Sequence, residues 1–392
     1  SIAAADTGLQ READFITVAA LQGLRKHDEA VATLYGMLDR YPPIPPPRYD
    51  REDRILSVPD GIIGIRDQMG DSVGVRRERA RAIGYFRGVL QSSPPPLLEA
   101  QVRARLARML IEAGSPTEAF DQVTTLRRLI SATPALRTLE PEILYSEARI
   151  RGMVKDTNAA LDLFDLVLMT YPKSEYAPKA LLDSATLLEQ MKNLEGALAR
   201  YRAVYARPNP DPALAPIASF RAAMVKDQLG NWAEAKQTLE SIPVQFPKSR
   251  AAVEAPFAIV EHYARARQGE ATKAALIRAV DVYRGLIAQD TASVYATACR
   301  WNVFRAYAAL QRWNDALTTV DDMAVKDRGV LITAQALVEG AKIAGALGDR
   351  ARSDMYLQRL TLEYPGSQVA DAARKILKDH AAEFGKSGAG KQ

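Results

Sequence analysis

Residues 223–249 read AMVKDQLGNWAEAKQTLESIPVQFPKS, and their spacing decides the fold. Two small residues, Ala223 and Ala235, bracket a Gly230-Asn231 turn. Leu239 follows Ala235 by one helical turn, and Phe246-Pro247 stops the run, because proline cannot continue a helix and biases its predecessor away from α. The same phrase returns as Ala30/Leu34/Tyr41-Pro42 and Ala160/Phe164/Tyr171-Pro172, and its ending recurs at Tyr364-Pro365. A serine follows the corner in YPKS (171–174), FPKS (246–249) and YPGS (364–367). A unit of roughly 35–40 residues with helical spacing inside it implies stacked helix pairs.

Helical periodicity runs over 8–25 and 28–41, then in consecutive segments from 75 to 384, including single helices over 135–152, 231–246 and 271–289. Short breaks such as Gly114-Ser115-Pro116, Lys192-Asn193 and Gly348-Asp349 divide the two helices of a pair. No stretch alternates with period two, so strands are not expected.

The units resemble the tetratricopeptide repeat (TPR), which has small residues where its two helices cross and a proline at its end. In 216–247 the matching residues are Ala223, Gly230, Trp232, Ala235 and Pro247. In 141–172 they are Ala148, Ala160, Phe164, Val167 and Pro172, and in 178–208 Ala185, Ala197, Tyr201 and Val204. The unit 297–325 keeps Trp313, Ala316 and Val320. The unit 334–365 keeps Ala341, Gly348, Leu357 and Pro365 but carries Ser353 at the second small position. The likeness covers about four fifths of the chain. It implies an all-α, right-handed superhelical solenoid of stacked antiparallel helix pairs, about eight to nine units long. The expected divisions are an N-terminal helix pair at 1–41, a Pro-rich irregular connector at 42–74, a TPR-like solenoid with a C-terminal capping helix at 75–384, and a disordered tail at 385–392.

Two stretches break the rhythm. Residues 42–74 open with Pro-Pro-Ile-Pro-Pro-Pro-Arg-Tyr, which predicts a polyproline II strand and then an irregular first helix. Pro43-Ile44-Pro45-Pro46-Pro47-Arg48 reads either as a rigid spacer or as a PxxPxR ligand for an SH3-type groove. Residues 268–276 add about seven residues to one repeat, which should lengthen its helices and alter the local curvature.

Composition narrows the function classes. The chain has 392 residues, 47% of them hydrophobic, ample for a core. A formal charge of +5 spread among nearly as many acids is unlike a nucleic-acid footprint. The arginines at 76, 77, 79, 81, 103, 105 and 108 read as solvated helix faces. One cysteine, Cys299, excludes an internal disulfide and multi-cysteine metal sites, and reads as a buried small hydrophobe. No apolar run approaches the roughly 18 residues of a membrane span. A first residue other than Met, in Ser1-Ile2-Ala3-Ala4-Ala5, fits a removed export leader or a trimmed chain.

Catalytic signatures are missing. His27, His262 and His380 are too far apart in a stack whose units touch only their neighbours to form a metal site. The tail Gly385-Lys386-Ser387-Gly388-Ala389-Gly390-Lys391-Gln392 mimics GxxxxGK but lacks the following Ser or Thr and a helix. Asp321-Asp322 lack a second carboxylate in register. No enzyme, cofactor or metal is therefore expected.

In TPR solenoids the first helix of each pair lines a concave groove. Carrying that register over implies a groove of Arg108, Tyr145, Arg149, Phe220, Met224, Glu261, Arg265, Trp301, Arg305 and Lys342, mostly cationic with interleaved aromatics. Such a groove favours an acidic or C-terminal peptide; Tyr145, Phe220 and Trp301 read equally as packing between units. The lysines and asparagines of the chaperone carboxylate clamp are not present: those positions hold Tyr145/Arg149, Leu182/Thr186 and Phe220/Met224. The YPxS corners and Ala-rich units at 171–249 and 356–377 look like TPR proteins of Gram-negative envelopes, such as the Tol–Pal coordinator, the outer-membrane barrel-assembly lipoprotein and polysaccharide-export scaffolds. A non-catalytic scaffold for partner proteins in a periplasmic or envelope assembly is the first reading, with a cytoplasmic setting as the other location. A structural stalk of an enzyme or of a secretion or export machine is the second, and RNA binding by helical repeats a distant third.

Overall fold

The computed structural model describes residues 2–24, 26–43, 54–206 and 210–388. Every regular element among them is helical. The chain divides into two compact units, Ser1–Asn209 and Pro210–Gln392. The division falls in a stretch where Pro208, Pro210 and Pro212 each lack an amide donor. The sequence reading had run the repeats continuously from 75 to 384.

The first unit holds α1 (Ile2–Gly23), α2 (His27–Arg40), α3 (Val58–Gln68), α4 (Ser72–Gln91), α5 (Pro96–Glu112), α6 (Pro116–Ala132), α7 (Glu140–Met153), α8 (Thr157–Thr170), α9 (Tyr176–Gln190) and α10 (Leu194–Tyr205). The second holds α11 (Ala215–Gln228), α12 (Trp232–Gln245), α13 (Arg250–Arg265), α14 (Gly269–Gln289), α15 (Val294–Ala309), α16 (Trp313–Lys326), α17 (Leu331–Ala346), α18 (Arg350–Glu363) and α19 (Gln368–Gly388). Within each unit consecutive helices pack in series. First helices also touch the first helix of the next pair: α5 on α7 and α7 on α9, then α11 on α13, α13 on α15 and α15 on α17. Second helices make no comparable contact with one another, so the first helices form the closer layer of each stack.

Three stretches depart from the sequence expectations. The irregular connector is shorter than 42–74: a 3-10 turn at Arg54–Ser57 leads into α3, which pairs with α4 as the other helices pair. Burial explains the order, because Ile55, Leu56, Val58, Ile62 and Ile65 are all inside the core. The polyproline and SH3-ligand readings of 43–48 fall almost wholly outside the described residues. The helix expected over 135–152 is split into a 3-10 turn, Pro134–Leu139, and α7. Pro141 has no N–H for an α-type bond to the Arg137 carbonyl, so the tighter turn precedes it. Of the tail expected to be disordered, 385–388 continue α19, and 389–392 lie outside the described residues.

Two of the three corner serines, Ser249 and Ser367, cap the next helix, whereas the buried Ser174 Oγ has no hydrogen-bond partner. Ser249 Oγ donates to the Phe246 carbonyl at 2.7 Å and accepts the Ala252 amide at 3.1 Å, so one hydroxyl closes the corner and caps α13. Ser367 does the same with Tyr364 and Ala370, and Ser293 with Asp290 and Ala296 at a corner without aromatic or proline. Between the helices of a pair the chain turns through the left-handed region. Gly230 (φ +82°) does so freely, with Asn231 N–H bonding back to the Lys226 carbonyl at 2.9 Å. Lys155, Lys192, Arg267 and Gln311 take the same conformation with φ of 56–64°.

The crossing alanines behave as steric contacts. Ala160, Ala197, Ala223 and Ala235 are all fully buried. An Ala235→Leu variant should lose about 1–3 kcal/mol by overpacking the α11/α12 crossing. A urea midpoint equal to wild type would show that this is not the crossing point.

One polar device lies inside the second unit. Arg300 and Asp327, each 1% exposed, form a two-pronged pair, with Nη1 at 2.7 and 2.9 Å from the two carboxylate oxygens. Thr297 Oγ1 donates to the same carboxylate at 2.6 Å, and Arg300 Nη2 donates to the Thr291 carbonyl at 2.6 Å. Thr333 Oγ1 closes on the Asp327 carbonyl at 2.9 Å. The pair ties α15 to the α16–α17 corner.

Candidate binding faces on the first helices

In the first unit, Tyr145 and Arg149 of α7 converge on α9. Tyr145 Oη donates to Asp183 Oδ2 at 2.7 Å, and Arg149 Nε lies 3.7 Å from that oxygen. The Tyr145 ring sits 5.5 Å from Tyr176 and 5.9 Å from Phe164, centroid to centroid. Burial pushes the Asp183 carboxyl up, against the Tyr145 hydrogen bond and Arg149, which pull it down. The Tyr145 and Tyr176 hydroxyls are pushed up by burial, with the Asp183 and Glu142 charges respectively adding to it. Arg108 of α5 instead reaches back to α3, with Nη2 2.7 Å from Asp60 Oδ2, an oxygen Arg105 shares.

In the second unit the expected residues fall into separate groups. Phe220 and Met224 of α11 are half-buried and pack on the core. Arg265 of α13 pairs with Asp227 at 2.9 Å; the same carboxylate holds His262 Nδ1 at 2.8 Å, and the His262 ring lies flat on Trp232 at 3.4 Å. Glu261 is exposed on the same helix. Arg305 of α15 lies over the Phe257 ring at 4.5 Å and donates to Asn302 at 3.2 Å, bridging to α13. Trp301, half-buried, stacks on Phe304 at 5.2 Å. Lys342 of α17 pairs within its own helix with Glu339 at 2.8 Å.

These contacts change the charge of the face. The repeat register alone gives a mostly cationic set, yet Asp60, Asp183, Asp227 and Glu339 each sit against one of its cations. Both sets of charges come from first helices, and a single chain register cannot show that the acids fall opposite the bases. On α9 the residue that reaches across is Asp183; Thr186, assigned there by register, touches Tyr201 of α10 at 3.1 Å. Tyr176 and Asp183 are spaced seven apart, one helical face, which is the signal that could have found them.

Among the described residues no three His, Cys, Asp or Glu side chains come together as a metal site. Cys299 is buried, its thiol pushed up to about 12 by that burial, and His380 pairs with Asp354 at 2.7 Å. Among the described residues no helix is long and apolar enough to cross a membrane.

Residues 218–249, the stretch spanning α11, the glycine turn, α12 and the capped corner, match the family model described as tetratricopeptide repeat. Residues 218–249 form a tetratricopeptide repeat. The pairs α7/α8 and α9/α10 carry buried alanines at the same places, Ala148 and Ala160, then Ala185 and Ala197. Solved structures with a similar helical arrangement include a tetratricopeptide repeat protein from Parabacteroides merdae (16% identity, 71% of this chain and 98% of that one, TM-score 0.36). A Rap protein complexed with Competence and Sporulation Factor is similar over 92% of this chain and 98% of that one (15% identity, TM-score 0.42). PilF of Pseudomonas aeruginosa is similar over 71% and 97% (12% identity, TM-score 0.32). No curated protein matches the sequence. Stacked helical repeats offer extended surfaces suited to protein–protein interaction.

Proposed function

We propose that this TPR chain is a non-catalytic scaffold that holds peptide or helical segments of partner proteins on the first-helix faces of its repeats, within a bacterial envelope assembly. The observation that carries the reading is the cross-helix pairing of half-exposed aromatic and arginine side chains: Tyr145 and Arg149 on Asp183, and Arg305 on Phe257. Such side chains are interface anchors, and holding them between helices before a partner arrives lowers the entropy cost of binding. Because acids accompany the cations, the segment bound is of mixed polarity with aromatic or aliphatic anchors, rather than simply acidic. The envelope setting rests on the likeness of the corners and Ala-rich units to envelope TPR proteins.

The test is photocrosslinking in cells of the native host. A photoreactive residue at position 149 or 305 should give discrete protein adducts in the envelope fraction, whereas positions 202 and 358, exposed on second helices, should not. Equal labelling from both sets would place binding elsewhere; adducts confined to the cytosolic fraction would remove the envelope assignment.

A further inference from the structure

Helix α1 turns an apolar face to water. Its inner side packs against α2 through Phe15, Val18 and Leu21. On its outer side Leu9, Ile16 and Leu24 are 71%, 69% and 69% exposed. Residues 15–24, Phe-Ile-Thr-Val-Ala-Ala-Leu-Gln-Gly-Leu, carry no charge at all. The solvent face of a helix is ordinarily polar or charged. Between residues 8 and 24 the one exposed charge is Glu12, and Arg54 holds it at 2.6 Å while lying over the Phe15 ring. Thr17 Oγ1 donates to the Ala13 carbonyl at 2.8 Å, so the exposed hydroxyl is satisfied within its own helix.

This outer face has the spacing of a two-helix seam. Leu9, Ala13, Ile16, Ala20 and Gly23 follow one another by alternate steps of four and three residues, on the side away from the buried Val18. Bulky and small side chains alternate along it. When two copies of α1 lie antiparallel about a two-fold axis, Leu9 meets Ala20 of the second copy and Ile16 meets its Ala13. Each bulky side chain then fills the space above an alanine. A parallel, in-register pair would set Leu9 on Leu9 and Ala13 on Ala13, crowding one layer and leaving the next empty.

Charge and area agree with a second copy as the occupant. In the antiparallel pair Glu12 falls beside Ala19 of the other copy and Gln10 beside Thr17, so no like charges meet. The exposed residues of 8–24 include no Lys or Arg, the side chains that anchor a helix lying on an anionic membrane. A seam of this length buries on the order of 1,000 Å² over both copies, the lower edge of specific interfaces, which makes the dimer weak and concentration-dependent.

We propose that the outer face of α1 pairs with the same face of a second copy of this chain in an antiparallel two-fold seam. The residues lie apart from those of α7 and α15 on which the peptide-holding reading rests, so the two are tested separately.

Sedimentation velocity of the full chain, from low-micromolar to several hundred micromolar, should show a monomer passing to a dimer. Ile16→Glu should weaken the dimer at least about tenfold, because it places a charge in a desolvated seam. Position 16 faces water in the monomer, so the urea midpoint of the dilute chain should not change. Ala19→Lys should tighten the dimer about fivefold through two symmetry-related pairs with Glu12, and Ala19→Glu should weaken it by a similar factor. A monomer at every concentration would overturn the proposal, as would a trimer or a dimer undiminished by Ile16→Glu. Equal affinities of Ala19→Lys and Ala19→Glu would overturn the antiparallel register. Co-sedimentation of a monomeric chain with phosphatidylglycerol vesicles, lost in Ile16→Glu, would assign the face to a lipid surface instead.

Discussion

Asp327→Ala should destabilise the 210–392 unit by about 3–5 kcal/mol, the usual loss when one partner of a buried ion pair is removed. The cause is Arg300, whose guanidinium would remain in a setting 1% exposed with its two carboxylate bonds gone. Its Nε has no hydrogen bond even in the intact protein and lies 3.4 Å from Asp322, too weakly placed to replace Asp327. Thr297 would lose its acceptor as well, although a helical threonine can turn its hydroxyl to the carbonyl one turn back. The measurement is the urea midpoint of the full chain, with hydrogen exchange assigning the loss to α15–α17. A double variant, Arg300→Met with Asp327→Leu, should recover most of the stability, because burying two apolar side chains avoids desolvating two charges. A loss below about 1 kcal/mol in Asp327→Ala would mean that water reaches Arg300.

Phe164→Ala should cost a similar amount in the first unit, about 3–5 kcal/mol, through lost apolar burial and the cavity left behind. Phe164 is 1% exposed, in a cluster with Ala148, Ala160, Val167 and Ala180, small or compact residues that cannot swell to fill the space. Its ring also backs Tyr145, so its removal should loosen the Tyr145–Asp183 contact on the proposed binding face. Phe164→Leu, the residue type at the equivalent positions 34 and 239, should lose about half as much. Denaturation gives the size of the effect. Faster amide exchange confined to α7–α9 would assign it to this repeat, whereas exchange unchanged there would contradict the packing described.

Both predictions concern residues that differ in how visible they are in the chain. Phe164 could be found from its repeat position, since its spacing from Ala160 and Tyr171-Pro172 marks it as a core residue. Arg300 and Asp327 could not. Buried charges are recognisable only from what they meet, and these two approach across 27 residues of separation. The same limit governs the proposed binding faces. Tyr145, Arg149 and Arg305 follow from repeat register, but Asp60, Asp183 and Asp227, which offset the cations, come from other helices.

What the chain determines by itself is everything set by local spacing. The helical segments, the crossing alanines, the corners and the extra turns of α14 arise from residues within one or two helices, where sterics and backbone hydrogen bonding act over a few positions. Tertiary structure alone decided the pairing of charges and the division at 209/210. Each depends on side chains or backbone brought together from separate helices, where small changes in packing distance decide whether a charge is matched, an acceptor satisfied or a space left open.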